Sequence, residues 1–268
     1  MIFTYPQGKE KALTFSYDDG QEFDKRLIAI LDAHGMKGTF HLNSGKLGFQ
    51  KGRDSIVKAE EIKEIYAGHE VACHGVKHLN LPSVNRELIV AEIQEDRKRL
   101  EELTGGFVQG MSYAYGNYDE EIKTIAKSLG IKYSRTVKDT GVFFPPADFL
   151  EWHPTCHFGN HTMELGERFL GSVGNYGLPV MYVWGHSFEF GWPDDWSGIE
   201  AFADKMAGKK EIWYATNMEI YRYVQATRSQ EFSADGHLMY NPTKETVWVL
   251  NRNQLLEVKP GQTVEIEP

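Results

Sequence analysis

The amino-acid sequence predicts an α/β protein: a parallel sheet closed into a barrel, followed by a small antiparallel β appendage. Strand-like and amphipathic helix-like segments alternate about seven times between Lys11 and Ala226, as βα units do. No glycine-rich phosphate turn follows any of these strands, which disfavours the dinucleotide-binding form of an open doubly wound sheet. Beyond about Arg228 the alternation stops, and short strand-like runs are spaced by Asn-Pro, Asn-Arg-Asn and Pro-Gly turns. The break divides the chain into a barrel, residues 1–228, and an appendage packed on it, residues 229–268.

Each element has its own signals. Leu13 to Asp18 is rich in aromatic and β-branched residues and reads as a strand. It ends in Asp18-Asp19-Gly20, where glycine permits a sharp turn. Phe23, Leu27, Ile28, Ile30 and Leu31 share one helical face, closed by Gly35. Gly38 to Leu42 is a second strand, and Lys58 to Ala67 is predicted helical. Glu70 to His74 is a third strand; a long charged amphipathic helix from Asn85 to Thr104 follows, ended by Gly105-Gly106. Val108 to Tyr113 is a strand, and Asp119 caps the helix after it. Ile131 to Thr136 is a fifth strand. The irregular stretch to about Glu164, with Pro145-Pro146 and Pro154, suits a functional loop or a spacer. A short helix at Met163 to Gly171, a buried strand at Pro179 to Trp184, a helix at Ile199 to Ala207, a strand at Ile212 to Thr216 and a helix at Met218 to Ala226 complete the barrel. The tail strands are His237 to Tyr240, Thr246 to Leu250, Leu255 to Val258 and Thr263 to Ile266.

The chain has 268 residues and a formal charge of −9, from 29 basic and 38 acidic side chains. That balance argues against nucleic acid or anionic lipid as the main partner. No apolar run is long enough for a membrane span. The first residues lack the apolar core of a signal peptide. A cytoplasmic location is expected for the sequence as it stands, and a secreted or periplasmic one if a leader has been removed. Cys73 and Cys156 are too few for a disulfide framework and are expected as buried thiols. Nothing in the sequence signals an oligomeric state.

Catalytic groups of such barrels stand at the C-terminal ends of the strands. Those ends carry Asp18, Asp19, His41, Asn43, His74, His78, Tyr113, Tyr115, Arg135 and His186. Two adjacent carboxylates repel unless a positive charge lies beside them; a metal held by one would leave the other free for proton transfer. The alternative for Asp18-Asp19-Gly20 is a plain surface turn. His74 and His78 are four apart, and one helical turn is expected to bring both imidazoles to one side. With Asp19 they form two histidines and a carboxylate with open positions, a catalytic zinc-type donor set. Zn2+ is the first expectation, and Co2+ or Ni2+ suits the same donors. His186, opposite that group, is a candidate general acid. The aromatic residues Trp152 and Trp192, placed on loops, are candidates for stacking on sugar rings.

The segments Thr14-Phe15-Ser16-Tyr17-Asp18-Asp19-Gly20, His74-Gly-Val-Lys-His78, Tyr113-Ala114-Tyr115-Gly116 and Trp184-Gly185-His186 stand in the order and rough spacing of the polysaccharide deacetylase family, the NodB-like carbohydrate esterases. The chain resembles that family over roughly Lys11 to Ala226. The resemblance implies a distorted, incomplete (β/α)7 barrel and one divalent ion, Zn2+ or similar. It implies Asp18 as general base, Asp19, His74 and His78 as metal ligands, His186 as general acid, and the Tyr115 backbone N–H as an oxyanion donor. The implied substrates are N-acetylated, less often O-acetylated, saccharides. Two departures stand out. The family's usual arginine before the Tyr113 segment is replaced by Ser112, and its later Asp-x-x-Asp-Trp segment is absent. Arg135 is the candidate replacement for that arginine, against the alternative of a surface charge. Asn43 and His41 are candidates for contact with the acetyl group or water, and Glu189 for orienting His186 or binding sugar hydroxyls. Two other readings stay open: an inactive carbohydrate-binding relative, and a hydrolase of small non-sugar amides.

Overall fold

The computed structural model describes residues 1–172 and 177–267. Its centre is a curled parallel sheet of seven strands with an eighth tucked beside the first. The strands are β1 (Lys11–Asp18), β2 (Gly38–Leu42), β3 (Glu70–Cys73), β4 (Gly110–Ser112), β5 (Tyr133–Arg135), β6 (Cys156–His157), β7 (Val180–His186) and β8 (Ile212–Tyr214). Their order around the sheet is β5-β4-β3-β2-β1-β7-β6, and β8 pairs with the lower half of β1. This is an incomplete (β/α)7 barrel. At the open side one parallel bridge, Arg135 to Trp152, pairs the end of β5 with the segment that leads to β6.

Alternation along the strands sorts side chains between lumen and helices. On β1, Leu13, Phe15 and Tyr17 point outward into the core shared with the helices. Thr14, Ser16 and Asp18 point inward, where their bonds reach Asn217, Arg135 and Ser112 across the barrel. The outer helices are α1 (Asp24–Ala33), α2 (Ile62–Ile65), α3 (Arg86–Thr104), α4 (Glu120–Ser128), α5 (Thr162–Gly171), α6 (Phe188–Gly191), α7 (Ser197–Met206) and α8 (Asn217–Arg228). Asn85 and Asp119 cap α3 and α4 by accepting from the Leu88 and Ile122 amides.

The helix expected over Lys58 to Ala67 is reduced to a 3-10 turn at Ala59–Glu61 and the single turn of α2. Ile62 alone of those two pieces is buried, so too little apolar surface is covered to extend them. The irregular loop contains a 3-10 turn, Phe149–Glu151, and β6.

The floor of the barrel is closed by the N-terminus of α8. Asn217 bonds Thr14 and Tyr182 from its side chain, and Thr39 from its backbone. Glu70 accepts from Tyr133, Thr39 and the Met218 amide. In the appendage, Val247–Asn251 pairs with Gln254–Val258, and Leu238–Tyr240 lies between Glu231–Phe232 and Thr263–Glu265. The N-terminal strand Ile2–Thr4 also pairs with Val247–Asn251, a pairing that its lack of alternation hid. Met239, Val247, Val249, Val258 and Ile266 form a separate small core there with Ala226 of α8.

Candidate active site

At the open end of the barrel, β1 and β3 deliver the three candidate metal ligands. Asp19 follows β1 with φ +78°, a left-handed conformation rare outside glycine. This turn brings Asp19 to the same pocket as Asp18. His74 follows the end of β3. The segment to His78 is no helical turn: Gly75 and His78 have φ of +82° and +61°, and this reversal folds the His78 ring onto His74 at 4.7 Å between centroids. A side chain at Gly75 would strike the Glu92 carboxylate, 2.8 Å from a Cβ placed there.

Three buried polar groups fix this loop. Asn43 donates from Nδ2 to the carbonyls of His74 and Gly75 at 2.7 and 2.9 Å. Asp96 accepts from the His74 and Gly75 amides at 3.0 and 2.9 Å. Glu92 accepts from the Lys77 amide at 2.7 Å. Asn43, expected to meet substrate or water, is fully buried and spends its amide group on the loop. Glu92 and Asp96 were not anticipated. Their signal was available: they share the α3 face that carries Ile89, Ile93 and Leu100, where an acid needs a polar partner.

The donor atoms of Asp19, His74 and His78 lie within 4.8 Å of one another. His74 Nε2 and His78 Nε2 each stand 3.9 Å from Asp19 Oδ1. The His74 Nδ1–H is directed at Ser112, whose Oγ and carbonyl oxygen lie 2.7 and 3.1 Å away, which turns the Nε2 lone pair into the pocket. Burial, then the neighbouring His74, pushes His78 down to about 4, so it is a neutral donor. Asp19 Oδ1 is buried with no hydrogen-bond partner. An orphaned carboxylate oxygen between two imidazole nitrogens fits a divalent cation of the Zn2+, Co2+ or Ni2+ type.

Asp18 stands beside this group, its Oδ2 3.8 Å from His74 Nε2. The fully buried Arg135 reaches across the lumen from β5 to form a charge-assisted bond from Nη2 to Asp18 Oδ2. Its Nε donates to Ser16 at 3.1 Å, and its guanidinium lies over the Trp184 ring at 4.4 Å. Arg135 is therefore no surface charge. Ser112, at the position expected to hold an arginine, donates to Asp18 Oδ1 at 3.1 Å. Burial pushes the Asp18 carboxyl up, but Arg135, then His74, His41 and His186, hold it well below the usual carboxylate range.

His186 ends β7 opposite Asp18, its register partner on β1. Its Nδ1 bonds Glu189 Oε1 at 2.9 Å, and the same oxygen bonds His157 Nε2 at 3.0 Å. His157 had no sequence signal beyond its place beside Cys156. Tyr115, with φ +60°, is exposed and stands edge-on to His78 at 4.5 Å. Trp152 cannot stack on a sugar. It is 1% exposed, packed among Tyr133, Phe149 and Tyr182, because its backbone bonds to β5 draw it inward. Trp192 stacks on Phe188 at 4.3 Å, and the Arg53 guanidinium lies over its ring at 5.3 Å. His41 is fully buried in the lumen, bonded to the Cys73 carbonyl and, with its pKa at about 3 mainly through burial, neutral.

Residues 5–134 match the family model described as polysaccharide deacetylase. Over that stretch, just under half of its length, the chain is similar to the polysaccharide deacetylase family. The match includes Asp18, Asp19, His74, His78 and Tyr115, while Arg135, His157 and His186 lie beyond it. Chitin deacetylase 1 of Cryptococcus neoformans var. grubii is 29% identical over 144 residues, 52% of this chain. The chain spans only 28% of that fungal protein's length. Among solved structures, a Mycobacterium smegmatis protein assigned as a polysaccharide deacetylase aligns with TM-score 0.62 and 20% identity, covering 84% of this chain and 93% of that one. The PuuE allantoinase also aligns with TM-score 0.62, at 13% identity over 83% of this chain and 93% of its own. Likeness at such identities is one of fold.

Proposed function

We propose that this protein is a metal-dependent hydrolase that removes N-acetyl or, as the less frequent alternative, O-acetyl groups from a saccharide, releasing acetate. The observation that carries the reading is the convergence of Asp19, His74 and His78 around one unpaired buried carboxylate oxygen, with the ionised Asp18 alongside.

Asp19, His74 and His78 would hold the cation, which when bound supplies carbonyl polarisation and a lowered pKa for the attacking water, from about 15.7 toward about 7. Asp18 takes the proton of that water. Held so low by Arg135, it is a poor base toward ordinary water, and it suits water already acidified. Arg135 and Ser112 fix both Asp18 oxygens and so aim the carboxylate. In this reading the backbone N–H of Tyr115, which sits in a left-handed turn beside His78, donates to the developing oxyanion, where one donor contributes about 100- to 1,000-fold. His186, with Nδ1 engaged by Glu189, presents Nε2 to protonate the departing amine nitrogen.

The test is acetate release from N-acetylhexosamine oligomers of several sugars and lengths, with and without chelator, for the wild type and Asp18→Asn. Acetate release that needs metal and falls about 100- to 10,000-fold in Asp18→Asn is expected. Metal and sugar bound without acetate release would overturn the reading in favour of a carbohydrate binder. Turnover confined to small non-sugar amides would overturn the substrate assignment.

A further inference from the structure

We propose that His157 is a positioning residue for His186: through Glu189 it keeps the His186 ring in the tautomer that leaves Nε2 facing the reacting group. The proposal rests on the reading of His186 as the general acid.

The bonding around His157 assigns its proton. Its Nδ1 accepts from the Gly159 amide at 3.1 Å, so in the neutral ring the hydrogen is on Nε2, which donates to Glu189 Oε1 at 3.0 Å. The same oxygen accepts from His186 Nδ1 at 2.9 Å. Two N–H groups on one carboxylate oxygen pin Glu189; the neutral His186 ring then keeps its hydrogen on Nδ1, and the proton it gains as an imidazolium sits on Nε2, from which it is given up. The groups facing His186 are Asp18 and Asp19 from β1 and its turn, Glu189 from α6 and His157 from β6. Burial lowers the His186 pKa, but the Glu189 bond, Asp18 and Asp19 carry it above its ordinary value.

The scaffold around His157 is equally fixed. Strand β6 is only Cys156–His157, and it sets His157 in register with Trp184. Asp139 Oδ1 accepts from both the His157 amide and the Trp184 indole N–H, at 2.8 and 2.9 Å. The His157 and Trp184 rings meet edge-on at 4.7 Å, and Phe188 stacks on His186 at 4.8 Å. Glu189 has a partly exposed side chain, 29% accessible, so once freed from His157 it can turn toward solvent.

Two variants separate positioning from packing. His157→Phe keeps a ring beside Trp184 but has no donor; His157→Gln offers an amide N–H to the same oxygen. The first readout, which needs no turnover, is the pair of ring 15N shifts of His186, which report its tautomer. The second is kcat and KM across pH. His157→Phe is expected to move His186 toward the Nε2–H tautomer, lower kcat about 10- to 100-fold with KM unchanged, and bring the alkaline limb to lower pH. His157→Gln is expected to restore all three. Should His157→Phe fold poorly, His157→Leu serves the same comparison. Unchanged His186 shifts and an unmoved alkaline limb in the donor-free variant would overturn the proposal. So would a Zn2+ ion seated between His157 Nε2 and Glu189 in crystals, because that nitrogen would then carry no proton. If His186→Ala keeps full activity, the acid reading fails on its own, while the 15N shifts still decide whether His157 sets the ring.

Discussion

The two ends of the barrel lumen are built from the same kinds of residue and treat them differently. At the floor, Thr14, Thr39, Glu70, Tyr133, Tyr182 and Asn217 bond one another across the lumen, and α8 caps them with two backbone amides. At the rim, Asp19 Oδ1, Asn43 Oδ1 and His41 Nε2 are buried without partners. Saturated polar groups make a structural plug; an orphaned acceptor among nitrogen donors makes a place for something else. The contrast predicts that rim substitutions change chemistry more than stability, and floor substitutions the reverse.

The largest expected effect tests the rim. Asp19→Ala should reduce bound metal from one ion per chain to a small fraction, and activity with it, by more than the roughly 10- to 100-fold typical of an outer-shell loss. Its melting temperature without metal should match or exceed that of the metal-free wild type, since an unpaired buried oxygen is removed. Metal analysis after dialysis, alongside acetate release, checks both. Full metal content in Asp19→Ala would break the assignment.

Arg135 belongs to both classes. It is fully buried and its main partner is Asp18. Removing one member of a buried pair leaves an uncompensated charge and typically costs about 3–5 kcal/mol. Arg135→Met should therefore lose stability of that order in urea, and kcat as well. In the double variant with Asp18→Asn the stability loss should be much smaller than the sum. Additive losses would show that the two side chains do not depend on one another.

The difference between the ends also marks what the sequence could disclose. The barrel was legible because alternation of strand and helix survives in the hydrophobic pattern, and the strand ends then pointed to Asp18, Asp19, His74, His78 and His186. Arg135 was within reach because a missing charge partner for a buried carboxylate has few substitutes. Trp152 was misplaced because a loop in the sequence became a bonded edge of β5 in the fold. The same strandless stretch hid His157, whose role depends on a two-residue strand. His74 and His78 were paired for a helical reason that the chain replaces with two left-handed residues.

A buried acid below the rim sharpens the contrast through pH. Asp24 accepts from Ser187 at 2.5 Å and Tyr66 at 2.7 Å, and burial, with help from Asp19 and Asp18, pushes it up to about 7. Its unfolded value is about 3.9, so the folded chain holds a proton that the unfolded chain releases. The corresponding stability is fully present below about pH 4 and is lost as pH rises toward 7. Asp24→Asn should flatten that slope, by a few kcal/mol at most. Urea titrations at pH 4.5 and 7.5 measure it, and parallel slopes in the two proteins would count against a protonated Asp24.

The smallest effect comes from the floor itself. Glu70 accepts on both oxygens, from the Tyr133 hydroxyl on one and from Thr39 and the Met218 amide on the other. A glutamine there keeps the shape but turns one acceptor into a donor, which faces groups that already donate. The mismatch should cost about 1–3 kcal/mol. Because no Glu70 bond reaches Asp18, Asp19 or His186, kcat and KM should stay within about twofold of wild type at temperatures where the variant is folded. A large fall in kcat for Glu70→Gln would mean that the two ends of the lumen are mechanically one, and that saturation of hydrogen bonds does not separate scaffold from site in this barrel.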